Sequence, residues 1–265
     1  MADYYLGHSQ LELDRLMAQA VVLRPITERL LLKAGLRPGM RVLDLGCGAG
    51  DVSLLVAERV GPSGFVVGID IVEKAVNLAR RRAEEHGFEN AAFHLADDPD
   101  CAETEPFDLV IGRYVVHHQS DPVEFIRAAA ARLRPGGILA FHELDVGAGF
   151  ATLPAVPVFD AIAAEIVTKA KAGTATPDAA CRLISLFVAA GLPAPKLFCE
   201  RPVGGDFDSP LFRWCAANFA AIRALTHPED APLSADAVET TLRDAVTAVH
   251  GQILGPDQCC AWTRV

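Results

Sequence analysis

The sequence predicts an α/β protein with a doubly wound, mostly parallel seven-stranded sheet and helical insertions, and three observations carry that prediction. From Arg41 to about Leu144, short apolar runs alternate with amphipathic stretches of helix length, which is the rhythm of βαβ units. A glycine-rich turn follows the first apolar run and opens the first of those helices. After the fifth run the rhythm stops, composition shifts towards Ala, Pro and Phe, and two further strand-like segments follow.

Taken in order, Gln10 to Ala34 reads as one or two helices, with Pro25 marking a break. Strands are expected at Arg41 to Leu45, Gly64 to Asp70, Ala91 to Leu95, Phe107 to Gly112 and Gly137 to Glu143. Helices are expected between them at Asp51 to Val60, Val72 to His86 and Pro122 to Leu133, where apolar residues recur three or four apart and Pro62, Gly87 and Pro135 to Gly137 supply stop signals. Beyond the fifth strand, Val158 to Lys171, Pro177 to Ala190, Ser209 to Leu225 and Ala235 to His250 read as helices. Lys196 to Pro202 and Cys259 to Val265 supply the sixth and seventh strands. The expected division is residues 1–36 as an amino-terminal helical segment, 37–146 as the α/β core and 147–265 as helical insertions with the last two strands, all in one continuous domain.

With 265 residues and 51% hydrophobic content the chain is neither disordered nor fibrous. Its 24 Lys and Arg against 34 Asp and Glu give a net charge of −10 without any basic run, which argues against nucleic acid or an anionic membrane and for a small-molecule ligand. The first fifteen residues hold no apolar stretch fit for export, and the apolar segment Leu183 to Pro195 is broken by Gly191 and Pro193. Seven scattered Cys without a CxxC pair suit reduced thiols, with no metal framework. The expectation is a cytoplasmic monomer or homodimer.

The chemistry-bearing stretch runs from Val42 to Asp51, where a strand enters a glycine-rich turn. Ligands of open α/β sheets bind beyond the carboxyl ends of strands. Here the glycines fall at Gly46, Gly48 and Gly50 behind Asp44, and Asp51 stands where a dinucleotide fingerprint would have its third glycine. This D-x-G-x-G-x-G pattern resembles motif I of the class I S-adenosylmethionine-dependent methyltransferases. Later segments agree: Asp70 closes the second strand, Ala96-Asp97-Asp98 follows the third, Phe107 to Arg113 with His117, His118 and Asp121-Pro122 forms the fourth strand and its sequel, and Leu133-Arg134-Pro135-Gly136-Gly137 leads into the fifth.

The resemblance implies a Rossmann-like methyltransferase fold and S-adenosylmethionine as cofactor. Asp44, Gly46, Cys47, Gly48 and Gly50 would cradle it, Asp70 with Ile71 would take the ribose, and Ala96, Asp97 and Asp98 would border the adenine, with Asp97 on its amino group. Arg113 leaves the fourth strand where the cofactor carboxylate would lie, although an ion pair with a helix-borne acid suits it equally. The segments Tyr4 to Ser9, Arg15 to Ala20 and Ala189 to Pro193 look like a bacterial subgroup of small-molecule methyltransferases, in which an amino-terminal helix closes as a lid. That implies contacts from Tyr5 and Gln19.

Methyl transfer is an in-line displacement, so positioning in a water-poor pocket supplies most of the rate. A base is needed only when the nucleophile arrives protonated. The candidates at the carboxyl edge of the sheet are His118, Glu143 and His117, with His142 and Asp145 nearby. Each has a structural alternative: the histidines could pack under the cofactor, and Glu143 could simply end a strand. Aromatic residues concentrated in the insertions suggest an acceptor with an apolar or aromatic part. A protein of this fold could instead use the cofactor for a cyclisation or merely bind it, and adjacent Cys259 and Cys260 also invite an arsenite-methylating reading that no other thiol spacing supports.

Overall fold

A computed structural model describes residues 10–96, 105–205, 208–227 and 233–265. Strand β1 (Arg41–Leu45) occupies the middle of the main sheet because both of its faces are apolar, with Val42 entering one core and Leu43 the opposite one. It pairs in parallel with β2 (Phe65–Asp70) on one side and β4 (Phe107–Arg113) on the other. Outwards lie β3 (Ala91–Leu95), β5 (Leu133–Leu144), β7 (Lys196–Glu200) and β10 (Gln258–Arg264), in the order β3-β2-β1-β4-β5-β10-β7. Only β10 runs against the others, paired antiparallel with β5 and β7. The sheet is therefore seven-stranded and mostly parallel, and its strand order reverses between β1 and β4, which opens a crevice at their carboxyl ends.

One face is covered by α4 (Pro122–Ala130) and α6 (Leu183–Ala189), which bury Phe107, Phe141, Leu186 and Phe187. The other is covered by α1 (Gln10–Ala34) and α2 (Asp51–Val60) over Leu30, Leu31, Leu55 and Ile138. Each such side chain contributes roughly 1.5 to 3 kcal/mol on burial. The third crossover helix, α3 (Glu73–Glu85), packs its Val76 and Ala79 against Phe93.

Pro25 does not break α1, which runs unbroken through it. Pro25 is exposed, so the carbonyl it leaves without an N–H partner, that of exposed Val21, faces the solvent side. Leu23, Ile26, Thr27, Leu30 and Leu31 on the inner face are buried, and that packing overrides the local preference.

The insertions build their own core. Helices α5 (Pro157–Gly173), α7 (Pro210–Thr226) and α8 (Ala235–Thr247) enclose Phe159, Phe212, Trp214 and Leu242 together with Val22 and Leu23 of α1. The helix expected from Pro177 starts later, as a 3-10 turn at Ala180–Arg182 running into α6. A small antiparallel sheet, β6 (Ala151–Leu153), β9 (Gln252–Leu254) and β8 (Val203–Gly204), is an addition to the expected elements. Strands of two or three residues carry no readable alternation, and their pairing is remote in sequence. Among the described residues no helix is long and apolar enough to cross a membrane.

Candidate active site

The turn after β1 can be made only with glycine at its first position. Gly46 has φ 66°, and a Cβ there would lie 2.4 Å from Val115 Cγ1. Gly48 is also left-handed, and its N–H donates to Asp70 Oδ2 at 2.8 Å, while Asp70 Oδ1 accepts the Val72 N–H at 2.9 Å. Asp70 is thereby held at the end of β2 beside the cavity. Beside it Ile71 is 56% exposed, an apolar side chain laid against the cavity.

That cavity, about 530 Å³, is walled on one side by Gly46, Cys47, Gly48, Asp70, Ile71 and Ala96. The volume is in the range of small-molecule sites. The wall continues through Gln19 on α1, Arg113 at the end of β4, and His117 and His118 just beyond it. Helices α5 and α7 complete it with Ile166, Val167, Trp214 and Asn218. Phe150 joins them, its ring edge-on to Trp214 at 5.0 Å.

Two residues of the turn motif stand behind the wall. Asp44 is fully buried, its Oδ2 accepting from Ser53 Oγ at 2.6 Å, and burial raises its pKa to about 7 despite that bond. Its Oδ1 has no partner. Gly50 caps α2 in a left-handed conformation, φ 85°. Cys47 lines the cavity, but burial pushes its thiol well up, which is the opposite of what a nucleophile needs. Arg113 lies 3.8 Å from Asp51 on α2, so the helix-borne acid is there. Tyr5, Asp97 and Asp98 lie outside the described residues.

The segment after β4 is folded around Glu143. Tyr114 turns the chain with a left-handed φ of 61°, its hydroxyl donating to Gln258 Oε1 at 2.6 Å. The next two amides, Val115 and Val116, donate to Glu143 Oε1 at 2.9 and 2.8 Å, and His117 Nδ1 meets Glu143 Oε2 at 2.5 Å. Glu143 is wholly buried, with both oxygens engaged, and the cavity wall is His117 instead. A carboxylate on Nδ1 places the ring proton there and leaves Nε2 as the lone-pair nitrogen. His118 stacks beside it, ring centroids 4.1 Å apart, and its pKa falls to about 3 through burial first and then the neighbouring His117 and Arg15 charges. His142 is buried between Thr27 Oγ1 and Gln258 Oε1, away from the cavity wall.

Arg15, Tyr114 and Gln258 are site components that reasoning from sequence did not single out. Arg15 lines the cavity and donates to Gln19 Oε1 at 2.7 Å; its signals are its place in the Arg15 to Ala20 segment and a spacing of four from Gln19 on a helix. For Tyr114 and Gln258, 144 residues apart, no local signal exists. Among the described residues no group of three or more His, Cys, Asp or Glu is placed to hold a metal ion.

A family model described as a methyltransferase domain matches residues 36–183. Nocamycin O-methyltransferase of Saccharothrix syringae is 40% identical over 115 residues, which are 43% of this chain and 41% of that protein. Aklanonic acid methyltransferase of a Streptomyces species is 40% identical over 124 residues, 45% of this chain and 54% of that one. The matches thus span about half or less of the length of these curated relatives. The YcgJ protein of Bacillus subtilis shares the fold, with a TM-score of 0.56 at 20% identity over 90% of this chain and 97% of its own.

Proposed function

The chain belongs to the family of methyltransferase domains, and from that premise we propose that it transfers a methyl group from S-adenosylmethionine to a hydroxyl of a small organic acceptor with an apolar or aromatic part. The observation that carries the reading is one cavity that joins the glycine turn and Asp70 to an apolar chamber and includes an imidazole backed by a buried carboxylate. The relatives named as O-methyltransferases of nocamycin and as an aklanonic acid methyltransferase support the acceptor class.

The residues fit the cofactor. Asp70 offers a carboxylate at the cavity wall to a diol, Ile71 offers an exposed apolar surface to a flat base, and the turn at Gly48 leaves the backbone open to close approach. When bound, S-adenosylmethionine supplies an electrophilic methyl on a sulfonium. Gln19 and Arg15 of α1, with α5 and α7, exclude water from the chamber and form the lid. In this reading His117 Nε2 takes the acceptor's proton, and Glu143 positions His117 and stabilises the imidazolium that forms. His118, held neutral and hard to protonate, serves as a wall and hydrogen-bonding group.

Calorimetry with S-adenosylhomocysteine tests the cofactor site, and product mass from a panel of hydroxylated aromatic acceptors tests the transfer. Tight binding of NAD with no response to S-adenosylhomocysteine would overturn the reading.

A further inference from the structure

The thiols outside the cavity are brought together by the sheet in a way their scattered positions hide. Cys259 of β10 lies directly across from Cys199 of β7 in the antiparallel register, and their sulfurs are 3.5 Å apart, with the Cys259 S–H donating to Cys199 Sγ. Directly opposed residues of an antiparallel pair have Cα atoms about 4.5 to 5.5 Å apart, within the span a disulfide bridges without backbone movement. The two differ in access: Cys199 is exposed on the edge strand, whereas Cys259 is buried. An accessible thiol with a second one in reach is the arrangement of a sensing and a resolving cysteine.

We propose that Cys199 and Cys259 form a reversible cross-strand disulfide when the protein meets a peroxide. Cys199 Sγ attacks one peroxide oxygen, the O–O bond breaks, and a sulfenic acid and one water result. Cys259 Sγ then displaces the sulfenic hydroxyl, which leaves with the Cys259 proton as a second water. In sum, two thiols are oxidised and one hydrogen peroxide is reduced. The order follows from the geometry, since only Cys199 meets solvent freely. Burial also holds the Cys259 thiol protonated, with its pKa pushed far up.

Cys181 is the competing partner. It is exposed, but its sulfur donates to Asp145 Oδ2 at 3.5 Å, whereas Cys199 is already met by Cys259. Cys260 points to the other face of the sheet, where it belongs to the core under α1 and α2. The same register row continues from Cys259 to Glu143, so the bridge would fasten the edge strand to the strand beside the His117 clamp.

The test treats the folded full chain with hydrogen peroxide, blocks free thiols in acid and maps tryptic peptides. The expected result is a loss of about 2 Da per chain. Peptide 197–213 should be joined to peptide 244–264. Dithiothreitol should separate them. Cys199→Ser and Cys259→Ser should each abolish the link, and Cys260→Ser should keep it. A link through Cys181 or Cys260, cross-linked dimers on a non-reducing gel, or over-oxidised Cys199 beside alkylated Cys259 would each overturn the proposal. Fragmentation of the linked peptide from the unmutated protein, between Cys259 and Cys260, decides even if a serine variant fails to fold.

Discussion

At the scale of single residues, one carboxylate gives two adjacent histidines different surroundings. Glu143 engages His117, whereas burial and the neighbouring charges hold His118 well below the ordinary histidine value. His117→Asn and Glu143→Gln should each lower turnover by roughly 10² to 10⁴ while S-adenosylhomocysteine affinity stays near wild type, and His118→Asn should cost less than about tenfold. Single-turnover rates against pH decide between them: a pH dependence that arises at the base should be present in wild type and lost in the His117 variant. An equal collapse in the His118 variant would move the base there. Asp70→Ala removes charge-assisted bonds worth roughly 1.5 to 3 kcal/mol each, so cofactor affinity should fall about 10- to 100-fold or more by calorimetry. The sequence marked Asp70, His117 and Glu143 because a strand's end is visible as the last residue of an apolar run. It could not separate Glu143 in the wall from Glu143 behind it, because the bond to His117 spans 26 residues.

Elements show where packing outweighs propensity. A proline inside a helix costs about 3 kcal/mol, yet α1 continues through Pro25 because its buried face is shared with the sheet, α2 and α7. Pro25→Ala should restore the amide to the Val21 carbonyl and raise stability by about 1 to 3 kcal/mol in urea unfolding. A loss of stability would mean the ring itself packs. The glycine turn behaves in the opposite sense, with local geometry in control. Gly46→Ala forces a Cβ into Val115 at a left-handed φ and should cost about 1 to 3 kcal/mol, seen as a lowered melting temperature together with weakened cofactor binding. Both elements were legible as a helix and a turn. The continuity of the one and the reason for the other needed the neighbours.

For the whole molecule, buried titrating groups shape the pH dependence of stability. Asp44 is raised to about 7 in the folded state, so its contribution is present at low pH and is lost as pH rises through 7. His118 and His142 are lowered to about 3, so their contribution is present above the ordinary histidine value of about 6.5 and is lost as pH falls below it. Asp44 acts between its ordinary value of 3.8 and about 7, so from about 4 to 6.5 two histidines outweigh one aspartate, and above about 7 none of the three titrates. Urea unfolding across pH should therefore show stability rising from about pH 4 to about 6.5 and level above about 7. In Asp44→Asn the rise should become steeper, because the opposing aspartate is gone. An unchanged slope would place the ionisation elsewhere.

By itself the sequence determined the alternation of strands and helices in the first half, the glycine turn, and the carboxylates and histidines at strand ends. These are local matters, written in periodicity, in the freedom of glycine at positive φ, and in the rule that residues closing parallel strands share one edge. Tertiary structure alone decided which side of the wall Glu143 occupies, that α1 stays whole, that short strands 151–153, 203–204 and 252–254 meet, and that Cys199 faces Cys259. Each depends on groups far apart in the chain, whose pairing follows from burying common surface and satisfying buried polar atoms, and no local pattern encodes that choice.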